Sequence, residues 1–326
     1  MLSILYHCLT AIVLARFARP SGHFYQIDKE TSTDTYQFVV FSDPQYGKLD
    51  QKVGTGTGLN WADDIDHTVA MCNVINDDLG DDIDFIVATG DLAEAYPTDE
   101  RRKLRMGSSP ALRPAQTHDF INAMSTCRDQ ISVFTVPGNH DVGSSVTQEA
   151  SWVGYEKLFM QSYYHFKRGE RHFIALDSEV YKQQGEAAIE RRQRQNEWLE
   201  DLFNQLPINA PKTVFMHTAL FIESANETIA SGQGESLPFK PRQYLLDLFA
   251  QNSVDSVFSG HTHFESFPTP YKGIQQYVLT SINYLASWRS LETGQLFGPD
   301  VGNNERGFYL VTVVAGESPI VKKILI

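Results

Sequence analysis

Short apolar runs of β type alternate along the chain with longer amphipathic stretches, and this alternation limits the folds that the chain can adopt. The strand candidates are rich in β-branched and aromatic residues and stop at small or polar residues. They are Tyr36–Ser42, Asp84–Thr89, Ile131–Val136, Thr213–Met216 and Val254–Ser259. The helix candidates between them are Ala62–Asp78, Gln116–Asp129, Gln193–Gln205 and Pro241–Asn252. Strands that alternate with helices indicate an α/β fold with buried, largely parallel strands.

Other strand-like runs have no helix between them. Tyr163–Lys167 and His172–Asp177 flank a short turn and are predicted to form a hairpin. The tail adds Gln276–Thr280, Phe308–Val314 and Ile320–Ile326, which we expect to be antiparallel. We therefore predict two mixed sheets packed face to face with helices outside. A chain of 326 residues that is 42% hydrophobic is large enough to bury such a core.

Polar residues follow each of the five early strand candidates at the point where the apolar run stops. They are Asp43 and Gln45, then Asp91, then Asn139 with His140 and Asp141, then His217, and finally His261 and His263. In an open α/β sheet ligands bind outside the carboxyl ends of the strands, so we expect these five strand ends to converge. Gly90, Gly138 and Gly260 precede three of the groups, and they would let the backbone turn sharply and approach closely.

The predicted cluster combines carboxylate, amide and imidazole donors, which suit Mn, Fe or Zn. The chain has only three cysteines, which excludes a four-cysteine zinc site. Two divalent cations about 3.5–4 Å apart can activate water and clamp both oxygens of an in-line displacement at phosphorus, so the cluster indicates phosphate-ester hydrolysis. Four other histidines do not follow the end of a predicted strand in this way, and we interpret them as structural. They are His67, His118, His165 and His172.

The order Asp-x-Gln, Gly-Asp, Gly-Asn-His-Asp, a solitary His and then Gly-His-x-His resembles the calcineurin-like metallophosphoesterase superfamily. The likeness is greatest to its calcineurin-like phosphoesterase domain-containing group of serine/threonine phosphatases, through Phe41–Gln45, Arg113–Gln116 and Gly138–Gly143. The resemblance implies one domain over residues 34–326, with a four-layer α-β-β-α sandwich and two mixed central sheets. It also implies hydrolysis of phosphoserine and phosphothreonine monoesters by metal-activated hydroxide.

The resemblance further implies a role for each site residue. One cation would be held by Asp43, Gln45, Asp91 and His263, and the other by Asp91, Asn139, His217 and His261. His140 would protonate the leaving alkoxide, which typically contributes a factor of about 10² to 10⁴. Glu94 would orient His140, with an acid in a solvent-exposed loop as the alternative interpretation. Asp141 of the same motif is counted with the catalytic residues.

This chain departs from the pattern of the superfamily in two respects. Gln45 stands where most members have histidine, so we expect the first cation to be held more loosely. The arginines that grip substrate phosphate in the better-known protein phosphatases have no counterpart, because Ala95 follows Glu94 and Phe264 follows the last histidine. A purple acid phosphatase is disfavoured, since Glu94 stands where that class needs a tyrosine and Tyr96 lies two positions further on.

The sequence is compatible with three functions. The first is a phosphomonoesterase, the second a phosphodiesterase or nucleotide hydrolase, and the third a metal-binding protein without turnover. The net charge of −13 argues against nucleic acid as a partner, because such binding needs a basic face. A phosphorylated protein or a small phosphoester is the expected partner, and the oligomeric state is not predicted.

The compartment is also open. Residues 1–18 form an apolar run that is short for a bilayer span, so no stable membrane span is expected; they read as a signal peptide or a disordered N-terminus. A cleaved signal would make the protein secreted, and otherwise it is expected in the cytoplasm. A sequon at Asn226 fits secretion. Cys72 and Cys127 are predicted as buried free thiols, with a disulfide as the alternative in an oxidising compartment.

Overall fold

A computed structural model of the chain describes residues 24–27, 35–52, 56–98, 106–143, 147–228, 235–289, 293–294, 296–298 and 305–326. The N-terminal segment over residues 1–18, with its predicted signal or disordered state, lies outside these described residues. Within the described ranges, no helix has both the length and the apolar character needed to cross a membrane.

The elements are numbered in chain order. The strands are β1 (Phe24–Gln26), β2 (Thr35–Phe41), β3 (Ile83–Ala88), β4 (Ser132–Thr135), β5 (Tyr164–Arg168), β6 (Arg171–Ala175), β7 (Lys212–Phe215), β8 (Val254–Ser259), β9 (Gln275–Val278), β10 (Trp288–Arg289), β11 (Leu296–Phe297), β12 (Gly307–Val314) and β13 (Ile320–Leu325). The helices are α1 (Lys48–Lys52), α2 (Ala62–Val74), α3 (Arg113–Met124), α4 (Asn139–Val142), α5 (Glu149–Leu158), α6 (Glu179–Lys182), α7 (Glu186–Gln205) and α8 (Phe239–Gln251).

Two mixed sheets form the centre of the structure. The first, called the β2 sheet, has the order β13-β12-β2-β3-β4, in which β2, β3 and β4 are parallel and β12 is antiparallel to both β2 and β13. The second, called the β7 sheet, has the order β1-β5-β6-β7-β8-β9. Only the β5–β6 pair of the β7 sheet is antiparallel among the described strands. The two mixed sheets are therefore as predicted.

Aromatic side chains hold the two sheets together face to face. Phe38 of the β2 sheet lies 5.5 Å from Phe173 and 6.0 Å from Phe215 of the β7 sheet, measured between ring centroids. Phe85 and Phe166 cross the same interface edge to face at 5.2 Å. All of these rings are buried, and such offset and edge contacts add to the free energy of burying the aromatic surface. Helices outside this core are consistent with the predicted four-layer arrangement.

Three details of the prediction differ from the structure. The run predicted from Gln276 forms β9, which is parallel to β8 rather than antiparallel, because the chain crosses over between them. The helix predicted from Gln193 begins earlier, at Glu186. A π-helical turn at Ile75–Leu79 ends the first long helix before the predicted bound.

The prediction of two free thiols is wrong. Cys72 of α2 and Cys127, just after α3, form a disulfide, and both residues are buried. The two cysteines are 55 residues apart in sequence, and the packing of α2 against α3 brings them together. No local spacing signals such a pair, because the tertiary contact between the helices creates it.

Candidate metal centre

The carboxyl ends of strands from both sheets meet at one place and bring four of the predicted ligands into contact. Asp91 follows β3, Asn139 follows β4, His217 follows β7 and His261 follows β8. Nε2 of His217 lies 3.4 Å from Oδ1 of Asp91, 3.3 Å from Oδ1 of Asn139 and 3.2 Å from Nδ1 of His261. The donor atoms of Asp91, His217 and His261 are close enough together to hold a metal ion.

Backbone carbonyls orient two of the histidines. A carbonyl oxygen can only accept, so Nδ1–H of His217 donates to the carbonyl of Thr89 at 2.8 Å and leaves Nε2 facing Asp91. Nδ1–H of His263 donates in the same way to the carbonyl of Tyr284 at 2.8 Å. Such partners fix the tautomer and the ring orientation of a metal-binding histidine.

The other predicted ligands lie at the adjacent end of the cluster. Nε2 of His263 is 3.5 Å from Oδ1 of Asp43, and the other carboxylate oxygen of Asp43 accepts the backbone N–H of His261 at 2.9 Å. Gln45 is only 1% exposed. Oδ1 of Asp43 and both amide atoms of Gln45 are buried without a hydrogen-bond partner among the described residues. Buried polar atoms are normally paired, so these oxygens fit a cation.

Backbone strain is concentrated in the same residues. Asp43, Gln45, Asp91, His261 and His263 all have positive φ angles, between 35° and 73°. Elsewhere in the described part of the chain, only Ser253 and Lys272 share this conformation without being glycine. A non-glycine residue in this region costs about 1–3 kcal/mol, and such strain collects where surrounding structure and function require it.

Three glycines allow the strand ends to come this close. A Cβ at Gly138 would lie 2.2 Å from Oδ1 of Asp91, and one at Gly260 would lie 2.5 Å from Oδ2 of Asp43. Gly90 has a φ of +94°, and a Cβ there would lie 2.7 Å from Nδ1 of His217. These contacts are too short for any side chain, which confirms the predicted close approach.

Opposite charges at the centre shift the pKa values of its groups. Burial acts to raise the pKa of Asp91, but His217 and His140 lower it by more, and it falls well below its usual value. Burial acts to lower the pKa of His217, but Asp91 raises it to about 10. Asp91 is therefore ionised, as a metal ligand must be.

His140 lies beside Asp91, with Nε2 at 4.0 Å from Oδ2 of Asp91. Its Nδ1–H donates to the carbonyl oxygen of Glu94 at 2.6 Å, while the Glu94 carboxylate lies 3.4 Å from the same nitrogen. Ser108 donates to that carboxylate at 2.6 Å. Glu94 therefore contacts His140 through both its carbonyl and its carboxylate, and its main chain makes the shorter contact.

Tyr96 belongs to the same group, although the sequence did not indicate it. Its hydroxyl lies 3.0 Å from Nε2 of His140 and accepts the side-chain amide of Asn139 at 3.4 Å. The two rings of Tyr96 and His140 are 4.1 Å apart. The position of Tyr96, five residues after Asp91, has no signal in the sequence, because only the folded loop turns its hydroxyl towards the centre.

Asp141 lies behind the predicted ligands and contacts backbone. Its carboxylate accepts N–H groups from Asp91 at 2.7 Å, Leu92 at 3.1 Å and Gly138 at 2.9 Å. Burial raises the pKa of Asp141 to about 6 against the opposing effect of Arg113, which lies 3.6 Å away. Asp141 thus positions the loop that carries Asp91 and does not reach the cluster itself.

The four histidines interpreted as structural have partners outside the metal cluster. His67 contacts Asn283 at 2.8 Å, His118 contacts Asp119 at 3.2 Å, and His165 and His172 contact each other at 2.8 Å. In the part of the chain that the structure describes, none of them belongs to a group that could hold a metal.

Two lysines flank the centre and were missed by the sequence prediction. Nζ of Lys48 lies 3.4 Å from the carboxylate of Glu94. Nζ of Lys182 lies 3.1 Å from Nε2 of His261. Lys182 ends α6, which follows β6, so a further strand end contributes to the site. The apolar run before Asp177 could have indicated this additional strand end. Because the run was predicted as one strand of a hairpin, its carboxyl end was not counted among the strand ends expected to converge.

Comparison with known proteins identifies the family. A family model described as calcineurin-like phosphoesterase matches residues 36–265, which is more than half of the chain. The chain belongs to this family, whose members use a dinuclear metal centre, and the family supports phosphoesterase activity. The serine/threonine-protein phosphatase CPPED1 of Homo sapiens is 27% identical, over 86% of this chain and 81% of that protein. The protein of the same name from Rattus norvegicus is 28% identical, over 87% of this chain and 82% of its own.

Solved structures share the fold at lower identity. The purple acid phosphatase PPD1 of Lupinus luteus matches with a TM-score of 0.59 and 16% identity, over 92% of this chain and 53% of the plant chain. A dimetal phosphatase from Danio rerio matches with a TM-score of 0.57 and 12% identity, over 89% of this chain and 96% of that one. At these identities the matches show the metallophosphoesterase fold alone.

Proposed function

We propose that the protein is a phosphomonoesterase that removes phosphate from phosphoserine and phosphothreonine of proteins with two divalent cations, Mn, Fe or Zn. The single observation that carries the proposal is the convergence of five strained residues, all N or O donors, beside His140. The names of the relatives support the protein substrate. The buried, unpartnered oxygens of Asp43 and Gln45 support the cations.

In this proposal Asp43, Gln45, Asp91 and His263 hold one cation, and Asp91, Asn139, His217 and His261 hold the other. When bound, the cations supply Lewis-acid activation of water and neutralise charge at phosphorus. The backbone N–H of His140 donates to Oδ1 of Asp91 at 2.8 Å and helps to keep that carboxylate in place.

His140 supplies the leaving-group proton. Because Nδ1–H is bound to the carbonyl of Glu94, only Nε2 faces the centre, and a proton held there can pass to a leaving alkoxide. The hydroxyl of Tyr96 is the nearest partner of that nitrogen. A protein that merely binds metal gains nothing from such a proton donor, which favours turnover over simple binding.

The test is an assay with added Mn²⁺ on an aryl phosphate, a bis-aryl phosphate and a phosphoserine peptide. We expect turnover of the two monoesters, lost in Asp91→Asn and reduced about 10²- to 10⁴-fold in His140→Ala. His118→Ala is the matched control, since that side chain is 47% exposed and lies outside the cluster. Preference for the bis-aryl phosphate would indicate a diesterase instead. Bound metal without any turnover would refute the proposal.

We also infer that the protein passes through an oxidising compartment. The disulfide between Cys72 and Cys127 and the exposed sequon residue Asn226 support this, together with the apolar run of residues 1–18. Sequencing of the mature N-terminus should find a start near Arg16 or Arg19. Recovery of a chain that begins at Met1 with two free thiols would contradict secretion.

A further inference from the structure

The segment Ser281–Tyr284, which follows β9, lies along the chain that leaves β2. Ser42 and Ser281 form a parallel bridge, and the N–H of Ile282 donates to the carbonyl of Ser42 at 3.1 Å. The hydroxyl of Ser281 donates to the carbonyl of Asp43 at 2.7 Å. The segment therefore joins the end of a strand of the β7 sheet to the end of β2, where the first predicted ligand stands.

Asn283 of this segment binds the turn between two predicted ligands. It is fully buried, and its Nδ2 donates to the carbonyl of Pro44, the residue between Asp43 and Gln45. A proline has no N–H, so this carbonyl is the only main-chain hydrogen-bonding group that Pro44 offers. Asp43 and Gln45 have φ angles of 51° and 35°, and such strained residues persist only where the surrounding structure holds them. Asn283 therefore holds the strained turn at its centre.

His67 on α2 fixes the orientation of the Asn283 amide. Oδ1 of Asn283 can only accept, so Nδ1–H of His67 donates to it at 2.8 Å and the NH₂ group faces Pro44. The backbone of Asn283 is held as well, because its N–H donates to Oγ of Ser281 at 3.0 Å and its carbonyl accepts Nε–H of Arg306 at 2.6 Å. Each polar group of Asn283 thus has a partner, and the amide has one orientation.

The next residue of the segment orients a third predicted ligand. The carbonyl of Tyr284 accepts Nδ1–H of His263 at 2.8 Å. The segment therefore contacts three parts of one proposed cation site, called the Gln45 site, whose ligands are Asp43, Gln45, Asp91 and His263. His217, which is proposed to bind the other cation, is oriented by the carbonyl of Thr89 instead.

The geometry points to Asn283 as the positioning residue of the Gln45 site, with His67 as the residue that orients its amide; this inference rests on the proposed dinuclear centre. An amide oxygen is a weaker ligand than an imidazole, so the affinity of this site depends more strongly on how firmly its donors are held before the cation binds. Removing a residue that orients metal ligands typically weakens metal binding about 10- to 100-fold. Asn283 should therefore control the occupancy of the Gln45 site without touching the cation.

The experiment measures Mn²⁺ binding to the metal-free protein by calorimetry, with Mn²⁺ content determined after dialysis. The wild-type protein should bind two Mn²⁺ per chain. Asn283→Asp has nearly the same volume but replaces the NH₂ donor by an oxygen that faces the Pro44 carbonyl. We expect the Kd for one Mn²⁺ to rise about 10- to 100-fold, so that one Mn²⁺ per chain remains after dialysis. Electron paramagnetic resonance should then show a single ion in place of a coupled pair.

Two further variants keep the test decisive if Asn283→Asp does not fold. Asn283→Ala removes the donor without adding a charge and should weaken the same Mn²⁺. His67→Phe changes a half-buried side chain and should cause a smaller rise in the same Kd, because the amide loses its orienting donor. Unchanged Kd values for both Mn²⁺ in the Asn283 variants that fold, or in His67→Phe if neither does, would overturn the inference, and so would a wild-type protein that binds only one Mn²⁺.

Gln276→Glu is the matched control for a change at a buried amide. Gln276 on β9 is fully buried, its Oε1 accepts the N–H of Leu220 at 2.8 Å, and its Nε2 donates to the carbonyl of Phe221. This exchange should lower the thermal stability but leave two Mn²⁺ bound, because the loop that Gln276 contacts carries no proposed ligand at these residues. Loss of the same Mn²⁺ in Gln276→Glu would mean that general destabilisation explains the effect, and would overturn the inference.

A double variant identifies the site that is lost. Asp43→Asn should weaken the same Mn²⁺, so the combination of Asp43→Asn with Asn283→Asp should still hold the other one. Loss of both Mn²⁺ in the double variant would show that Asn283 acts on more than the Gln45 site, and would overturn its assignment.

Mn²⁺ binding does not require turnover, so the two proposals can fail separately. A wild-type protein that binds two Mn²⁺, one of them dependent on Asn283, but hydrolyses nothing would refute the phosphatase function alone. A protein that hydrolyses monoesters and keeps both Mn²⁺ in Asn283→Asp would refute this inference alone.

Discussion

Replacing Gly138 by alanine tests whether close approach of two strand ends builds the centre. The new Cβ would lie 2.2 Å from Oδ1 and 2.5 Å from the backbone nitrogen of Asp91, where ordinary contacts begin at 3.4 Å. The backbone of Asp91 must therefore move by about 1 Å, and a displacement of that size at a reacting centre can cost about 10²-fold in rate. Since Asp91 is the proposed shared ligand, we expect metal content to fall together with activity.

The assay is kcat/KM on an aryl phosphate with Mn²⁺, alongside bound metal and thermal unfolding by circular dichroism. Gly154→Ala is the matched control: it lies inside α5 with no atom within 4 Å of the added Cβ. That change should raise stability by up to about 1 kcal/mol and leave kcat/KM unchanged. Wild-type metal content and kcat/KM in Gly138→Ala would refute the reasoning, because Asp91 could then move without consequence.

Three further changes probe neighbouring parts of the molecule. Gln45→His should tighten the first cation, because imidazole is the better donor; unchanged stoichiometry and affinity after dialysis would mean that Gln45 is not a ligand. Tyr96→Phe should lower kcat by up to about tenfold at constant metal content, since one hydrogen bond to His140 is lost; an unchanged kcat would remove Tyr96 from the proton path. Burial lowers the pKa of His165 to about 3 and that of His172 to about 4, so both are neutral in the folded protein while the unfolded chain takes up protons below about pH 6.5. The contribution of this pair to the free energy of unfolding is thus complete above pH 6.5 and is lost as the pH falls towards 4. His165→Phe should therefore reduce the decrease in the urea midpoint between pH 7 and pH 4.5. A decrease equal to that of the wild-type protein would contradict this.

The central strands were predictable because a strand that is buried on both faces is a continuous apolar run in the sequence. The run Phe38–Phe41 is apolar throughout and is followed at once by Ser42 and Asp43, so both the strand and its functional end are visible. The same holds for the run that ends at Asp91. Where a strand is continuous, apolar and parallel, its last residue also locates the ligand-binding edge.

Elements at the edge of the fold were less predictable. The three-residue strand β1 and the helix α5 were not predicted, because neither has a long apolar run. In α5 the buried residues Ser151, Trp152 and Tyr155 are partly polar, so the helical period of apolar residues is weak. Tertiary contacts, rather than local pattern, select these segments.

The polar residues around the ligands show the same limit. Lys182 and Tyr96 reach the centre only because loops from different strand ends fold over it. An apolar run ends before Asp177, but no sequence motif marks Lys182 or Tyr96 itself. A sequence motif shows which residues a family of sites shares. It does not show which other polar side chains lie near the site, since that depends on how the loops fold.

The proposed ligands come from both sheets, and this arrangement affects the stability of the whole molecule. Asp91 extends from the β2 sheet, whereas His217 and His261 extend from the β7 sheet, so an ion held by these three side chains would link the two sheets of the core. Ligands that bind only the folded state add to its stability. Removal of the metal by a chelator should therefore weaken the packing between the two sheets first. Amide hydrogen exchange at Phe41 and Phe215 should then increase before either sheet unfolds.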